Sequence, residues 1–323
     1  MNILHSCRLK ERAASILSQT QPDYRKLVAL HAAVSFGVML AVSLIQLLLT
    51  MSMGNESGLS GMNSSAIFST VKVTLGLFTS LLLPFWEVGI LHTSIRVVRR
   101  EDAEFTHLTR GLRRWGVVLR YYLLLLLIYM AAAILMTNLI PIFTYWIPIP
   151  QSMYDAVENM DIAALTDGAA LLEMLPQDAI IGYILPVVAI TTVVFSIILL
   201  WLSYRFRMSL YLLMDDPQCP ALPSLLLSNQ MLKGHKWSLF KLDLSFWWYY
   251  VLQIGISAIS FGPELLGLAG VTLNISSDVQ ALLFQGLYSL AGIGLAWFFG
   301  AYVQTTYACV YDQLRNQNPM ENA

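Results

Sequence analysis

The sequence predicts an all-α polytopic membrane protein. Six transmembrane helices form three repeated hairpins, each preceded by a short cytoplasmic interfacial amphipathic segment. Three observations predict this. Hydrophobic residues make up 57% of the 323 and charged residues only 12%, against roughly a quarter charged in a soluble chain. The apolar residues gather in blocks approaching the ~20 residues that a helix needs to cross a bilayer. The basic residues fall in alternate connections between the blocks, the bias that orients membrane helices.

The blocks run 27–49 (LVALHAAVSFGVMLAVSLIQLLL), 73–95 (VTLGLFTSLLLPFWEVGILHTSI), 121–136 (YYLLLLLIYMAAAILM), 180–204 (IIGYILPVVAITTVVFSIILLWLSY), 246–261 (FWWYYVLQIGISAISF) and 281–303 (ALLFQGLYSLAGIGLAWFFGAYV). The fifth reaches spanning length when LFKLDLS, 239–245, joins it. Charge-free blocks this long and this frequent argue against a large soluble helical core. The first is too long for the apolar region of a signal peptide, so its helix is expected to stay in the protein.

Charge gives the orientation. Of nineteen Lys and Arg, three lie at 8–12, two at 25–26, seven between Arg96 and Arg120, five between Arg205 and Lys241, and one at Arg315, leaving Lys72. The connections at 51–67, 139–179 and 262–280 hold none, but they do hold acids. The basic connections are expected on the cytoplasmic side, with both termini. A nucleic-acid partner would need a basic face beyond this topological pattern. Cys7, Cys219 and Cys309 fall on the expected inner side, where disulfides do not persist. His5, His31, His92, His107 and His235 lack metal-ligand spacing, and no cofactor fingerprint accompanies Gly292 and Gly294. No catalytic, cofactor or metal residue is expected.

A repeat organises the helices. In FWEVGILHTSIRVVRRED, Trp86 is followed by Ser94 and Glu101. In LWLSYRFRMSLYLLMDD, Trp201 is followed by Ser209 and Asp216. In AWFFGAYVQTTYACVYD, Trp297 is followed by Thr305 and Asp312. The offsets are identical, and at 100° per residue the three positions share one side of a helix. Tyr24, Trp115 and Trp237 stand beside basic residues ahead of the odd-numbered helices. Units of about 8–102, 103–217 and 220–314 follow, within one membrane domain. The middle hairpin carries extra outer chain in 139–179, where Pro141, Pro148 and Pro150 interrupt helix. That loop reads either as a packing lid or as a ligand site.

NQMLKGHKWSLFKLDLSF at 229–246 and GLAWFFGAYVQTTYACVYDQL at 294–314 resemble the bacterial integral-membrane family called domain of unknown function 975. LKERAASILSQTQPDYRKLVAL at 9–30 matches less closely, with YRK in place of a W-x-K turn. The likeness is strongest over about 205–245 and 295–314. It implies a multi-spanning fold, chiefly in Gram-positive bacteria, and brings no activity or catalytic residues. A more distant likeness to the membrane domains of lipid-phosphodiester hydrolases lacks any hydrolase part.

Glu87 stands in an apolar run nine residues before Arg96, about 13.5 Å along a helix. A charge at that depth costs roughly 2.5–3.5 kcal/mol, and such residues face the bundle interior. Two readings stay open: an ion or substrate path, or a packed structural carboxyl. Gln46, Asn138, Gln253 and Gln285 could keep it company. Asp243, beside Lys241, reads as an ordinary surface pair. The expected function is a non-enzymatic, lipid-contacting or accessory role in the cytoplasmic membrane. Arg96, Arg99, Arg100, Arg113, Arg114, Lys233 and Lys236 would meet anionic lipid headgroups, and another membrane protein is a possible partner. The alternative is a small-molecule or ion transporter using Glu87.

Overall fold

A computed structural model describes residues 6–20, 23–53, 61–158, 176–268 and 277–317. Within them the protein is all-α. The helices are α1 (Ser6–Gln19), α2 (Tyr24–Met53), α3 (Gly61–Val98), α4 (Phe105–Leu108), α5 (Arg110–Arg113), α6 (Trp115–Thr144), α7 (Gln151–Glu158), α8 (Gln177–Ala179), α9 (Leu185–Phe206) and α10 (Ser209–Asp215), followed by α11 (Ala221–Met231), α12 (Lys236–Leu244), α13 (Trp247–Ser260), α14 (Gly262–Leu268), α15 (Ser277–Leu295) and α16 (Ala301–Gln317). Single π-helical turns at Ile180–Ile184 and Ala296–Gly300 join α8 to α9 and α15 to α16. The expected outer loop, 139–179, lies partly outside the described residues.

Five described helical stretches are long and apolar enough to cross a membrane: Tyr24–Leu49, Val73–Val98, Trp115–Ile142, Gln177–Asp215 and Val279–Gln317. The protein is a multi-span membrane protein. The expected fifth helix differs from its prediction, because it does not merge with its lead-in. Backbone turns at Ser245 and Phe246 separate α12 from α13, which leaves α13 with 14 residues, about 21 Å long.

Several polar side chains along the apolar helices are satisfied by their own backbone. Ser43, Thr79, Thr137, Ser257 and Ser289 each donate to the carbonyl four residues back. Asn138 Nδ2 does the same toward Ile134, at 2.8 Å. Lipid offers no other partner, so this back-bonding lets the apolar helices carry hydroxyls.

The chain divides into two compact units. One comprises Met1–Arg120 with Arg207–Ala323, and the other Tyr121–Phe206. In the smaller unit Ser152 Oγ donates to Asp178 Oδ2 at 2.6 Å, holding α7 to α8. In the larger unit α2 packs on α3 and on α15, while α13 and α14 pack along α15.

The core of the larger unit gathers at one end of these helices. It includes Leu9 and Ala13 of α1, Val88, Ile95 and Val97 of α3, Leu212 and Leu213 of α10, Leu225 of α11, Leu239 of α12 and Ala308–Val310 of α16. By contrast, side chains along the spans such as Leu44, Leu77, Phe78, Leu283 and Leu290 are exposed, as expected where lipid tails are the solvent. Two glycines make this end possible. A Cβ on Gly89 would stand 1.7 Å from the Leu108 carbonyl oxygen, and one on Gly111 would stand 2.0 Å from that of Phe85. The α4–α5 segment therefore lies backbone to backbone against α3, which only hydrogen at these two positions permits.

Candidate functional site

Glu87 lines a cavity of about 240 Å³ in the larger unit. Its walls are His31, Ser35 and Phe36 of α2, Glu87 of α3, Tyr249, Gln253 and Ser257 of α13, Tyr288 and Gly292 of α15, and Gln304 of α16. Glu87 is exposed to this space, and among the described residues no ion pair or hydrogen bond engages it. Of the four polar residues named as its company, Gln253 is part of the wall.

The cavity rim is built by specific contacts. His31 and Trp86 stack with ring centroids 5.2 Å apart and planes 4° from parallel. Trp86 Nε1 donates to the His31 carbonyl at 3.1 Å, and His31 Nε2 meets the Trp86 carbonyl at 3.1 Å. Since a carbonyl can only accept, Nε2 carries the proton. This reciprocal pair pins α2 to α3 beside Glu87. Tyr24 Oη donates to Gln304 Oε1 at 3.1 Å. Gly292 admits the Phe36 ring, which a Cβ would meet at 2.3 Å, and Phe36 in turn packs edge-on to Tyr288.

The repeat-equivalent positions are alike in one row and different in the other two. Ser94, Ser209 and Thr305 are all fully buried. Trp86 is 7% exposed, whereas Trp201 is 53% and Trp297 40% exposed, because His31 covers only the first. Trp297 falls in the π-turn, and Arg205 lies over Trp201 at 5.4 Å. Glu101 is exposed beside Arg96, 3.4 Å away. Asp216 caps its own turn by accepting from Gln218 N at 2.9 Å. Asp312 is buried and meets Arg12 at 3.1 Å and Arg99 at 3.6 Å.

The predicted lipid-facing bases divide in the same way. Arg100, Arg113 and Lys233 are exposed. Arg99 instead grips Asp215 through both terminal nitrogens, at 2.6 and 2.7 Å. Arg114 donates to the carbonyls of Leu213 and Pro217 at 2.6 and 2.7 Å, and Arg96 donates to that of Asp102 at 3.2 Å. Lys236 is half-buried.

The sequence did not reveal two polar clusters. In the first, Asp215 also accepts from Tyr311 Oη at 2.7 Å and pairs with Arg315, and Asp312 joins it through Arg99. In the second, Asp243 departs from the expected surface pair with Lys241. It is buried, takes Arg207 Nη1 at 2.6 Å and accepts from Tyr307 Oη, which itself meets Tyr250 Oη at 3.0 Å. The cue was an acid three residues before the aromatic-rich run that starts at Phe246, but its partners are remote in sequence. Among the described residues no group of three or more His, Cys, Asp or Glu could hold a metal.

Residues 6–318 match the family described as protein of unknown function (DUF975), and the chain belongs to that family. No curated protein and no solved structure matches it.

Proposed function

We propose that this member of the DUF975 family is a non-enzymatic protein of the bacterial cytoplasmic membrane that acts through contact with anionic lipid on the cytoplasmic side, alone or as accessory to another membrane protein. The proposed topology has six crossings in three hairpin repeats, with units at about 8–102, 103–217 and 220–314. The packing of α13 and α14 along α15 supports the sixth crossing. The shared burial of Ser94, Ser209 and Thr305 supports the repeat.

The observation that carries the lipid reading is a band of exposed bases next to exposed apolar side chains on the short helices and the turns beside them. Arg113 stands with Leu112 and Trp115, and Lys233 and Lys241 stand with Trp237. Rings at headgroup depth and bases just above them suit an anionic surface, at about 1 kcal/mol per base. Native protein in nanodiscs should melt higher with phosphatidylglycerol than with phosphatidylcholine alone. Substituting Gln at Arg113, Lys233 and Lys241 together should erase most of that difference. Equal melting of the native protein in both lipids would defeat the reading.

A second reading, transport of a small molecule or ion through Glu87, is favoured by the open cavity on which that carboxylate borders. Glu87→Gln should then abolish a substrate-dependent flux in proteoliposomes while leaving the melting curve in place.

A further inference from the structure

We propose that the Glu87 cavity is a binding site for a small ammonium ligand. This names a ligand class for the cavity of the second reading, but it requires binding alone and no flux. Three features point to that chemistry. The first is charge. Among the described residues the wall contains no Lys or Arg, and Glu87 contributes its one carboxylate. His31 is committed through Nε2 to the Trp86 carbonyl, so the other titratable ring is already part of the frame. An anion would find no counter-charge here, whereas a cation would find one unengaged.

The second feature is the aromatic surround. Phe36, Tyr249 and Tyr288 come from three different helices to one cavity. Ring faces attract desolvated organic cations, while calcium or magnesium wants six or more oxygen ligands. A lone carboxylate among rings therefore selects an alkylated or primary ammonium over calcium or magnesium. The third feature is size and polar finish. A volume of about 240 Å³ equals about eight waters, enough for tetramethylammonium or ethanolamine. Gln253, Ser35 and Ser257 supply oxygens to any N–H or hydroxyl the ligand carries.

The ammonium could be a free amine or the headgroup of a phosphatidylethanolamine lipid entering from the bilayer. Full-length protein in dodecyl maltoside would be titrated with tetramethylammonium chloride, with sodium chloride holding ionic strength constant, and the thermal midpoint followed. The native protein should show a saturable rise. Glu87→Gln should show none, and Glu101→Gln, far from the wall, should keep the native response. Tyr249→Leu, which keeps the carboxylate and removes one ring, should need about threefold or more tetramethylammonium for half its effect.

Repeating the titration in nanodiscs separates the sources. A rise present with phosphatidylglycerol and lost with phosphatidylethanolamine assigns the cavity to the lipid headgroup. A rise retained in both assigns it to a free amine. An unsaturable rise, or the same rise in Glu87→Gln, overturns the proposal. Absence of flux in the native protein, which defeats the transport reading, would leave this one standing.

Discussion

Asp243 owes its burial to partners 36 and 64 positions away, Arg207 and Tyr307. Removing one member of such a pair strands the other, which typically costs about 3–5 kcal/mol. Asp243→Asn should lower stability by roughly that amount in denaturant unfolding, while Lys241→Gln should leave it unchanged. Replacing Arg207 and Asp243 together with Met and Leu should recover much of the loss, since an apolar pair leaves no stranded charge. Gly89→Ala should also be costly, at about 1–3 kcal/mol for overpacking, because the Leu108 backbone cannot yield as a side chain can. Gly116→Ala meets nothing within 4 Å and should be neutral or stabilise by up to about 1 kcal/mol. Thermal melting of the two variants separates a packing glycine from an incidental one. The cysteines offer a third residue-scale test. Cys7 is exposed, while Cys219 and Cys309 are buried, and burial with the nearby Asp216 carboxylate pushes the Cys219 thiol above its ordinary value. Less thiolate is then present at neutral pH, so maleimide should label Cys7 fast and Cys219 slowly in the native protein, as read by mass spectrometry.

At the scale of elements, the sequence exposed what depends on local composition and concealed what depends on distant partners. The apolar blocks at 27–49, 73–95 and 180–204 were legible because lipid demands nearly uniform apolarity along a span. The break between α12 and α13 was not, since FKLDLSFWW carries no proline or glycine to announce it. Glu87's approach to a cavity followed from the cost of leaving a carboxylate in lipid, but the cavity's other walls belong to α2, α13, α15 and α16, which sequence spacing does not bring together. The cluster of Arg12, Arg99, Asp215, Asp312 and Arg315 was likewise invisible. It joins α1, the turn that ends α3, α10 and α16. Arg12→Gln breaks the tie of α1 to Asp312 and should make the chain near residue 20 more sensitive to trypsin, at Arg25 and Lys26. Arg99→Gln removes a two-pronged grip on Asp215 and should cost about 1.5–3 kcal/mol. Unchanged proteolysis in the first variant would mean that apolar packing, with the Lys10 hydrogen bond to the Ser245 carbonyl, suffices to hold α1.

At the scale of the whole molecule, the distribution of bases predicts an orientation that labelling can read. In a background without native cysteines, Tyr154→Cys should react with an impermeant maleimide added to intact cells, and Lys233→Cys only after permeabilisation. The reverse pattern would invert the topology, and labelling of both from outside would mean an even number of crossings between them. This prediction rests on charge placement alone, because apolar helix length and packing are indifferent to which side is which.

The contact between α1 and α16 also sets a timetable. Arg12 and Asp312 lie 300 positions apart, and at about 5–20 residues per second a ribosome needs roughly 15–60 s to make the second after the first. Throughout that interval Leu9, Ala13, Ile16 and Leu17 wait without the surface that finally covers them. A nascent chain that stalls before residue 301 therefore presents an unmated apolar stripe to quality-control machinery, and a finished one withdraws it.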